Sequence, residues 1–398
     1  MVAAAAMRVA VVAEFYPRAA DPVLGVWAHR QAIAARDAGA DVHVLVLHRP
    51  LPRLAALRGG PVPALRATAR AAAQPLHARL DGIPITYVPF LAPPRPRSYG
   101  DWGRWAAPSL AIALRKLRHR FAYDVVHAHN AVPAGEAVRR TATAAPLVVS
   151  VHGGDVFHTA PHYDRGAEAV RAALHRAQVV VANSAGIEER CRVLGARATR
   201  VVHLGTDLPA RRAEPYAEPT IVTTAHLVAR KRHADVLRAV ALLRDRHPRL
   251  RHLVIGDGPE RAGLEHLADE LQIAGRVEFA GQLDPAAALQ RTRRAALLAM
   301  PSTDEAFGMV YVEAMAGWLP AIGARGEPGP EEIAAAGGGM ALVAPGDVAE
   351  LAAALDGLLG DEHALRTQGE QARATVEAAF SWEQCGAATV AAYEAAVA

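Results

Sequence analysis

Residues 9–47 read VAVVAEFYPRAADPVLGVWAHRQAIAARDAGADVHVLVL. The apolar run at 9–13 predicts a short buried strand, and the loop that follows it ends at Gly25. A helical pattern then runs to Gly39, and the apolar residues at 42–47 predict a second buried strand. Two apolar strands joined through a helix form a β-α-β unit, in which the strands pair in parallel.

The same alternation of apolar strand and helix-like segment recurs along the chain. Further strands are predicted at 124–127, 147–151, 179–182, 200–203, 220–225, 252–255, 276–279, 296–300 and 321–323. Within these strands the apolar residues are continuous rather than alternating, which predicts parallel sheets covered by helices on both faces. The fold class is therefore α/β, with two Rossmann-like parallel-sheet domains that we expect to face each other across a cleft.

One segment has the composition of an interdomain linker. It reads LPARRAEPYAEP, lies at 208–219, and is rich in proline and charge. It separates a predicted N-terminal domain at 1–207 from a predicted C-terminal domain at 220–380. We expect a last helix at 381–398 to pack back on the N-terminal domain.

The composition is that of a folded protein with substantial cores. The 398 residues are enough for two or three domains, and 52% of them are apolar while 21% are charged. Two cysteines are too few for a disulfide-rich scaffold. The longest apolar stretches fall short of the roughly 18 to 20 residues that cross a bilayer. Because the N-terminus also lacks the features of a secretory signal, we expect a cytoplasmic protein.

Charge is distributed unevenly along the chain. Residues 1–120 hold 17 Lys and Arg against 6 Asp and Glu, whereas the rest holds 27 against 34. A basic surface of this kind could attract an acidic substrate, an anionic lipid surface such as the inner membrane face, or nucleic acid. Nucleic acid is disfavoured because the aromatic residues of this third cluster in one short segment. The pattern is least regular at 51–120, and 51–79 is predicted to be a mobile loop.

The segment PSTDEAFGMVYVEAM at 301–315 holds two carboxylates at a suggestive spacing. It follows a predicted strand, so Glu305 lies in the loop and Glu313 lies just over one turn into a helix predicted at 307–317. Gly308 allows close backbone approach, and the amides of the first helical turn can bind phosphate oxygens. A ligand across this helix start could contact both carboxylates. The pattern also fits an ordinary capped helix with glutamates that face solvent.

The spacing Glu305-x7-Glu313 resembles the E-x7-E signature of glycosyltransferase family 4, whose members are retaining enzymes of the two-domain GT-B fold that use nucleotide sugars. Seven other segments resemble the family in the same order and span nearly the whole chain. They are DVVHAHN at 124–130, VVSVHGGD at 148–155, the segments at 180–184 and 202–207, IGDGPER at 255–261, 277–281, and GPEEI at 329–333.

The resemblance implies roles for individual residues. In the C-terminal domain, Glu305 would bind hydroxyls of the donor sugar and Glu313 the ribose hydroxyls, while the backbone of Phe307, Gly308 and Met309 would bind the sugar and diphosphate. Gly25 would approach the diphosphate, and His152 would hydrogen-bond the sugar that is transferred. The acceptor side would be formed by His129, Asn130 and Asp155. Acceptor specificity would lie in the irregular region at 51–120.

Lys231 is unusual in this sequence. The chain has 42 arginines and only two lysines, Lys116 and Lys231, so a lysine between Arg230 and Arg232 suggests that a compact ammonium is required there. The family has a lysine at this place that touches the donor diphosphate. An arginine usually stands five residues before it, and here that position is His226. We expect His226 to act beside the diphosphate as a weaker arginine.

The resemblance therefore implies a retaining hexosyltransferase, with His152, Lys231 and Glu305 as its catalytic residues. The donor would be a nucleoside diphosphate sugar, most simply UDP-linked, and the acceptor a saccharide, a lipid or a small metabolite. No cofactor and no metal are expected, because no Asp-x-Asp occurs in the sequence. Two alternatives stay open: an epimerase or hydrolase of nucleotide sugars, and a non-catalytic protein that binds nucleotide sugars. A Rossmann dehydrogenase is disfavoured because no G-x-G-x-x-G follows any strand.

Overall fold

The computed structural model describes residues 6–19, 21–51, 60, 62–63, 65–66, 69, 73–95 and 97–398. The chain forms two compact units, one of Met1–Leu204 with Trp382–Ala398 and the other of Gly205–Ser381. Each unit is built around one sheet that is wholly or mostly parallel. About half of the residues of the mobile loop predicted at 51–79 lie outside the described residues, and 77–79 belong to a strand.

Among the described residues, the sheet of the first unit has eight strands in the order β3-β4-β2-β1-β5-β6-β7-β8. These strands are β1 Arg8–Ala13, β2 Asp41–His48, β3 His77–Leu80, β4 Ile83–Pro89, β5 Val125–His129, β6 Leu147–Val151, β7 Val179–Ala182 and β8 Thr199–Val201. Strand β3 pairs with β4 in the antiparallel sense, and the other neighbours pair in parallel. The central strands β1, β5 and β6 are buried over almost their whole length, as the continuous apolar runs predict.

The sheet of the second unit has six strands within the described residues, in the order β11-β10-β9-β12-β13-β14. These strands are β9 Thr220–Thr224, β10 Arg251–Ile255, β11 Val277–Gly281, β12 Leu297–Ala299, β13 Ala321–Ala324 and β14 Met340–Val343. All their pairings are parallel. Because these strands are parallel, the loops that follow them leave the same edge of the sheet. The loop after β9 lies between those after β10 and β12, since β9 lies between these two strands.

Helices connect the strands of both sheets. In chain order they are α1 Val26–Asp37, α2 Trp102–Arg120, α3 Glu136–Arg139, α4 Ala160–His162, α5 Asp164–Arg176, α6 Ala185–Val193, α7 His233–Leu242, α8 Arg261–Glu270, α9 Pro285–Thr292, α10 Met309–Ala316, α11 Pro328–Ala336, α12 Val348–Leu359, α13 Glu362–Ala379 and α14 Trp382–Val397. In the second unit the core formed by the sheet and its helices includes Ile221, Val254 and Leu297 of the strands with Val236 of α7 and Leu355 of α12.

The α/β class and the two parallel-sheet units are confirmed, but the region at 51–120 is more regular than expected. It contains the antiparallel hairpin of β3 and β4 and the 19-residue helix α2. The hairpin turns through Asp81 and Gly82, both with positive φ, and an Asp-Gly pair is a strong hairpin signal. The first sheet also has one antiparallel edge strand, β3, which the sequence did not predict because its residues are partly exposed and form no continuous apolar run.

The last helix, α14, belongs to the first unit and packs on α1. Gln31 Nε2 donates to Thr389 Oγ1 at 3.1 Å. A Cβ on Gly386 would lie 2.2 Å from the carbonyl oxygen of Ala34, so only glycine lets these helices approach so closely. The two units divide at 204/205, and Tyr216 of the segment 208–219 packs within the second unit, where its amide donates to the carbonyl oxygen of Arg294 at 3.0 Å.

Candidate functional site

The loop between β12 and α10 holds Glu305 in a buried hydrogen-bonded position. Glu305 Oε2 accepts from the Ser302 hydroxyl at 2.8 Å and from the Lys231 ammonium. The side chains of Lys231 and Glu305 are only 12% and 10% exposed. The backbone amide of Glu305 donates to Glu327 Oε2 at 2.9 Å. These bonds fix the carboxylate and the ammonium as one buried ion pair.

Lys231 reaches this pair from the loop that follows β9. It ends the short 3₁₀ turn Ala229–Lys231, and Thr303 ties the two loops together by donating its amide to the carbonyl oxygen of Arg230 at 2.8 Å. Burial lowers the pKa of the Lys231 ammonium, while Glu305 opposes that shift. The sheet edge thus carries a positive and a negative group side by side, on loops of the neighbouring strands β9 and β12.

Phe307 and Gly308 shape the start of α10. Gly308 has a φ of 85°, and a Cβ there would lie 2.3 Å from the ring of Tyr311. This left-handed residue caps the helix, so α10 begins at Met309 and not at 307 as predicted. The Phe307 side chain is buried against Phe380. A Cβ on Gly329 would lie 2.1 Å from the Phe307 carbonyl oxygen, so only glycine lets the two backbones approach so closely.

Glu313 lies on α10 and has different neighbours from Glu305. Burial raises the pKa of Glu313 to about 7, nearby Arg293 opposes the rise, and Asp207 adds to it. Arg293 Nη2 donates to the carbonyl oxygen of Asp207 at 2.8 Å, while its Nε is buried without a partner. Sequence reasoning missed Arg293 and Asp207, because nothing in their local sequence marks a contact made only in the tertiary fold.

His226 follows β9 on the loop that carries Lys231. Its side chain is exposed, and its carbonyl oxygen accepts from the amide of Val228 at 2.9 Å. The segment IGDG at 255–258 packs closely on this loop. A Cβ on Gly256 would lie 2.0 Å from the carbonyl oxygen of Ala225, so only glycine allows this approach. The structure therefore gathers Lys231, Glu305 and the residues 307–309 at one place, with His226 on the same loop as Lys231.

In the first unit, Gly25 caps α1 with a φ of 66°. A Cβ at this position would lie 2.2 Å from the carbonyl carbon of Phe15, so the loop after β1 can pass here only against a glycine. Two residues further on, the Trp27 ring lies 4.3 Å from the His152 ring, centroid to centroid. Gly25 thus fixes the helix start from which Trp27 packs on His152.

Three histidines form a group in β5 and after β6, in which His127 and His129 are buried and His152 is partly buried. His129 Nδ1 and His152 Nε2 share a hydrogen bond of 3.0 Å, and their rings are stacked within 7° of parallel. His127 bonds to the hydroxyls of Ser150 at 2.7 Å and Tyr393 at 2.8 Å. Burial lowers the pKa of His127 and His152 to about 3 and that of His129 well below its usual value. All three are therefore neutral hydrogen-bonding groups at neutral pH.

Asn130 and Asp155 lie beside these histidines. Asp155 accepts the backbone amides of Ala131 at 2.8 Å and Val132 at 3.1 Å. Burial raises the pKa of Asp155 to about 7, and the two amide bonds oppose the rise. Asn130 and Asp155 line a pocket of about 170 Å³, which Arg95 also lines. Sequence reasoning missed Arg95. This residue lies in a segment of the basic third that is rich in Arg, Pro and aromatic residues.

Two family models match the chain. Residues 206–375 match the model of glycosyl transferases group 1, and residues 24–209 match that of Glycosyltransferase Family 4. The first match covers most of the second unit, and the second match covers most of the first. Together with the two parallel-sheet units, they identify the chain as a glycosyltransferase of the group 1 and family 4 type, with the GT-B fold.

One relative, TuaC, is named as a glycosyltransferase, and one solved structure has a similar fold. The chain is 28% identical over 337 residues to TuaC of Bacillus subtilis, whose name refers to teichuronic acid biosynthesis, covering 79% of this chain and 80% of TuaC. It is 35% identical over 182 residues to an exopolysaccharide phosphotransferase of Streptomyces coelicolor, which is 45% of this chain but only 19% of that protein. The structure of Anabaena HepE in complex with UDP-glucose has a TM-score of 0.70 at 19% identity, over 96% of this chain and 97% of HepE.

Metal-binding clusters and membrane-spanning helices are both absent from the described residues. Within the ranges given above, no three or more His, Cys, Asp or Glu side chains are grouped so that they could hold a metal ion. No helix in the described part of the chain has the length and apolar character needed to cross a membrane.

Proposed function

We propose that this glycosyltransferase moves a sugar from a UDP-sugar to an acceptor hydroxyl with retention of the anomeric configuration. The observation that carries the proposal is the buried pair of Lys231 and Glu305 beside the glycine-capped start of α10. A nucleoside diphosphate sugar needs a cation for its diphosphate, amides for its phosphate oxygens and a carboxylate for its sugar hydroxyls. The loops after β9 and β12 supply all three.

Lys231 would stabilise the diphosphate as it leaves. Preorganised charge in a water-poor site is effective at this task because it needs no rearrangement when the leaving charge develops. In the free protein Glu305 holds the ammonium in place. When donor binds, the diphosphate would share Lys231, and Glu305 would accept hydroxyls of the sugar. Since this arrangement assigns the cationic role to Lys231, we expect turnover to survive EDTA.

His152 would bind the sugar from the first unit. Its pKa of about 3 means that it stays neutral, so it can hydrogen-bond a hydroxyl without placing positive charge near the anomeric carbon. That carbon becomes more positive as the diphosphate departs, and an imidazolium would oppose this change. His129, which shares a hydrogen bond with His152, would set the orientation of the ring.

Retention would follow from departure and attack on the same face of the sugar. A double displacement needs a carboxylate nucleophile, and Asp155 is poorly suited because both its oxygens already accept backbone amides. UDP is the proposed nucleotide because the Anabaena HepE structure, which has a similar fold, contains UDP-glucose. Asn130 and Asp155 would lie on the acceptor side, in the pocket of the first unit.

The test is a screen of UDP- and GDP-sugars with a set of acceptors, in which nucleotide release and product mass are both measured. Transfer from a UDP-sugar, with and without EDTA, is the expected result. Loss of turnover on chelation with recovery on adding Mg²⁺ would contradict the role of Lys231. Free sugar as the main product would indicate a hydrolase, an altered sugar nucleotide an epimerase, and UDP binding with no turnover a non-catalytic binding protein.

A further inference from the structure

The pocket of the first unit has a lining that suggests one chemical class of ligand. Its volume of about 170 Å³ is formed in part by Phe15, Arg95, Tyr99, Asp155 and Tyr163. Sites that bury a whole drug-sized ligand have roughly 300–1,000 Å³. A pocket of this size therefore fits one ring or one small charged group of a larger molecule.

Arg95 is a positively charged side chain at this pocket, and its neighbours hold it in place. Its Nη2 forms an ion pair with Glu14 Oε2 at 2.6 Å, and Glu14 is buried. The guanidinium carbon lies 4.0 Å from the Tyr99 ring centroid and 5.1 Å from that of Phe15. The Arg95 side chain is nevertheless 39% exposed. One edge of the guanidinium is thus fixed by Glu14 and the rings, while part of the group remains open to a ligand.

Charge near Arg95 is not balanced. Arg18 Nη2 lies 3.9 Å from Glu14 Oε1, and the Arg49 guanidinium lies 5.8 Å from the Trp102 ring centroid, over which Arg95 also lies. Glu14 therefore pairs with two guanidinium groups, and Arg49 brings a third to the Trp102 ring that Arg95 also contacts. This excess of positive charge favours a negatively charged ligand over a neutral one.

Asp155 is the carboxyl that could repel such a ligand, but its charge is reduced. Burial raises the pKa of Asp155 to about 7, so at neutral pH the group is ionised only about half of the time. When it is ionised, its oxygens accept the amides of Ala131 and Val132. The repulsion between Asp155 and an anion in the pocket is therefore smaller than that of a fully ionised carboxylate at the same position.

We propose that this pocket binds an oxyanion of the acceptor, a phosphate or a carboxylate, with Arg95 as its main donor. The planar guanidinium matches either group, because both present two oxygens to its N–H fork. The inference rests on the proposed function for the statement that the ligand is the acceptor. The presence of an anion site depends only on the residues described above.

Calorimetry on the full chain with three matched probes tests the site. Glycerol 3-phosphate and glycerate carry the two oxyanions, and glycerol carries neither. We expect at least one anion to bind, glycerol not to bind, and Arg95→Gln to weaken anion binding at least tenfold. Arg95→Lys, which keeps the charge but loses the fork, should lie between the two. A thermal melt of each variant checks that it folds.

Arg118→Gln is the matched control. Arg118 stacks on the Tyr123 ring at 5.3 Å, so its loss removes the same charge and a similar ring contact outside the pocket. The proposal is overturned if neither anion binds, if glycerol binds equally well, or if the substitutions at Arg95 and Arg118 weaken binding by the same factor.

A turnover assay with a UDP-sugar and the same three probes separates this inference from the proposed function. Binding of an anion that depends on Arg95, with no UDP released from any donor, would support the anion site and contradict the proposed function. UDP release that is equal with all three probes and unchanged in Arg95→Gln would support the proposed function and overturn the inference. Preferred transfer to a phosphorylated or carboxylated probe, lost in Arg95→Gln, supports both.

Discussion

The two units place buried titratable groups side by side in different ways. In the second unit, Lys231 and Glu305 form an ion pair between opposite charges. In the first, His129 and His152 share a hydrogen bond, and burial lowers the pKa of both so that neither is charged at neutral pH. A buried charge persists where a partner compensates it and is lost where none does. We therefore propose that the ion pair suits a charged diphosphate and that the histidine group suits neutral hydroxyls.

Removing the Lys231 ammonium should have the largest effect on turnover. We expect Lys231→Ala to lower kcat by a factor on the order of 10² to 10³, the loss seen when one preorganised group is removed from a transition state. The control is Lys116→Ala, at the other lysine of the sequence, which is exposed on α2. Steady-state kinetics with saturating UDP-sugar provide the measurement. Equal rates for the two variants would remove Lys231 from the reaction.

Removing the neutral imidazole of the first unit should have a smaller effect. Loss of this bond leaves the sugar hydroxyl unsatisfied, which costs about 1 to 3 kcal/mol, so His152→Ala should reduce kcat/KM by about five- to 150-fold. His119→Ala, at an exposed histidine on α2 of the same unit, is the control. Affinity for UDP alone should not change, because UDP carries no transferred sugar. An equal loss of UDP affinity would show that the contrast between the two units is wrong.

The pH dependence of donor binding tests Glu313. Because its pKa is about 7, the Glu313 carboxylate, which we propose accepts ribose hydroxyls, is present above pH 7 and is lost below it. UDP-glucose suits this measurement because its diphosphate does not titrate in this range. Its affinity should fall by up to about tenfold for each pH unit below 7 in the wild type. Glu313→Gln should bind more weakly at pH 8 and show no such fall. Parallel pH profiles would separate Glu313 from the ribose.

The exposed His226 should give the smallest effect. Its replacement by arginine would add a permanent positive charge to the loop that carries Lys231, and an exposed charge of this kind is worth about 0.2 to 1 kcal/mol. We therefore expect His226→Arg to raise kcat/KM by about two- to fivefold. Arg232→Lys, which keeps its charge, is the control. A lower rate in His226→Arg would mean that the histidine has a role that arginine cannot fill.

The sequence predicted the parts of the fold that depend on local pattern. The apolar runs at 147–151 and 179–182 coincide with β6 and β7, because strands buried on both faces leave a continuous signal. Strand β3 has no such signal, since it lies at the sheet edge and is only partly buried. The pair Asp81-Gly82 indicates the turn of its hairpin, but a prediction based on apolar runs alone does not use turn residues.

The candidate site was predictable in its residues but not in its contacts. The surroundings of Glu305 and Gly308 were visible as a strand-to-helix loop. The bond from Lys231 to Glu305 joins residues 74 positions apart, and no local pattern reports it. The neutral state of His152 likewise depends on burial by the folded chain. Arg95 was visible only as one arginine among many, and its place became clear once the rings around it were known.

The anomeric configuration of the product is the most direct test of the central claim. That claim is sugar transfer with retention, in which the diphosphate departs and the acceptor attacks on the same face of the sugar. An α-linked UDP-sugar should be incubated with the acceptor found in the screen, and the proton coupling constant of the new glycosidic bond should be measured by NMR. The account predicts an α-linked product. A β-linked product would contradict the proposed mechanism.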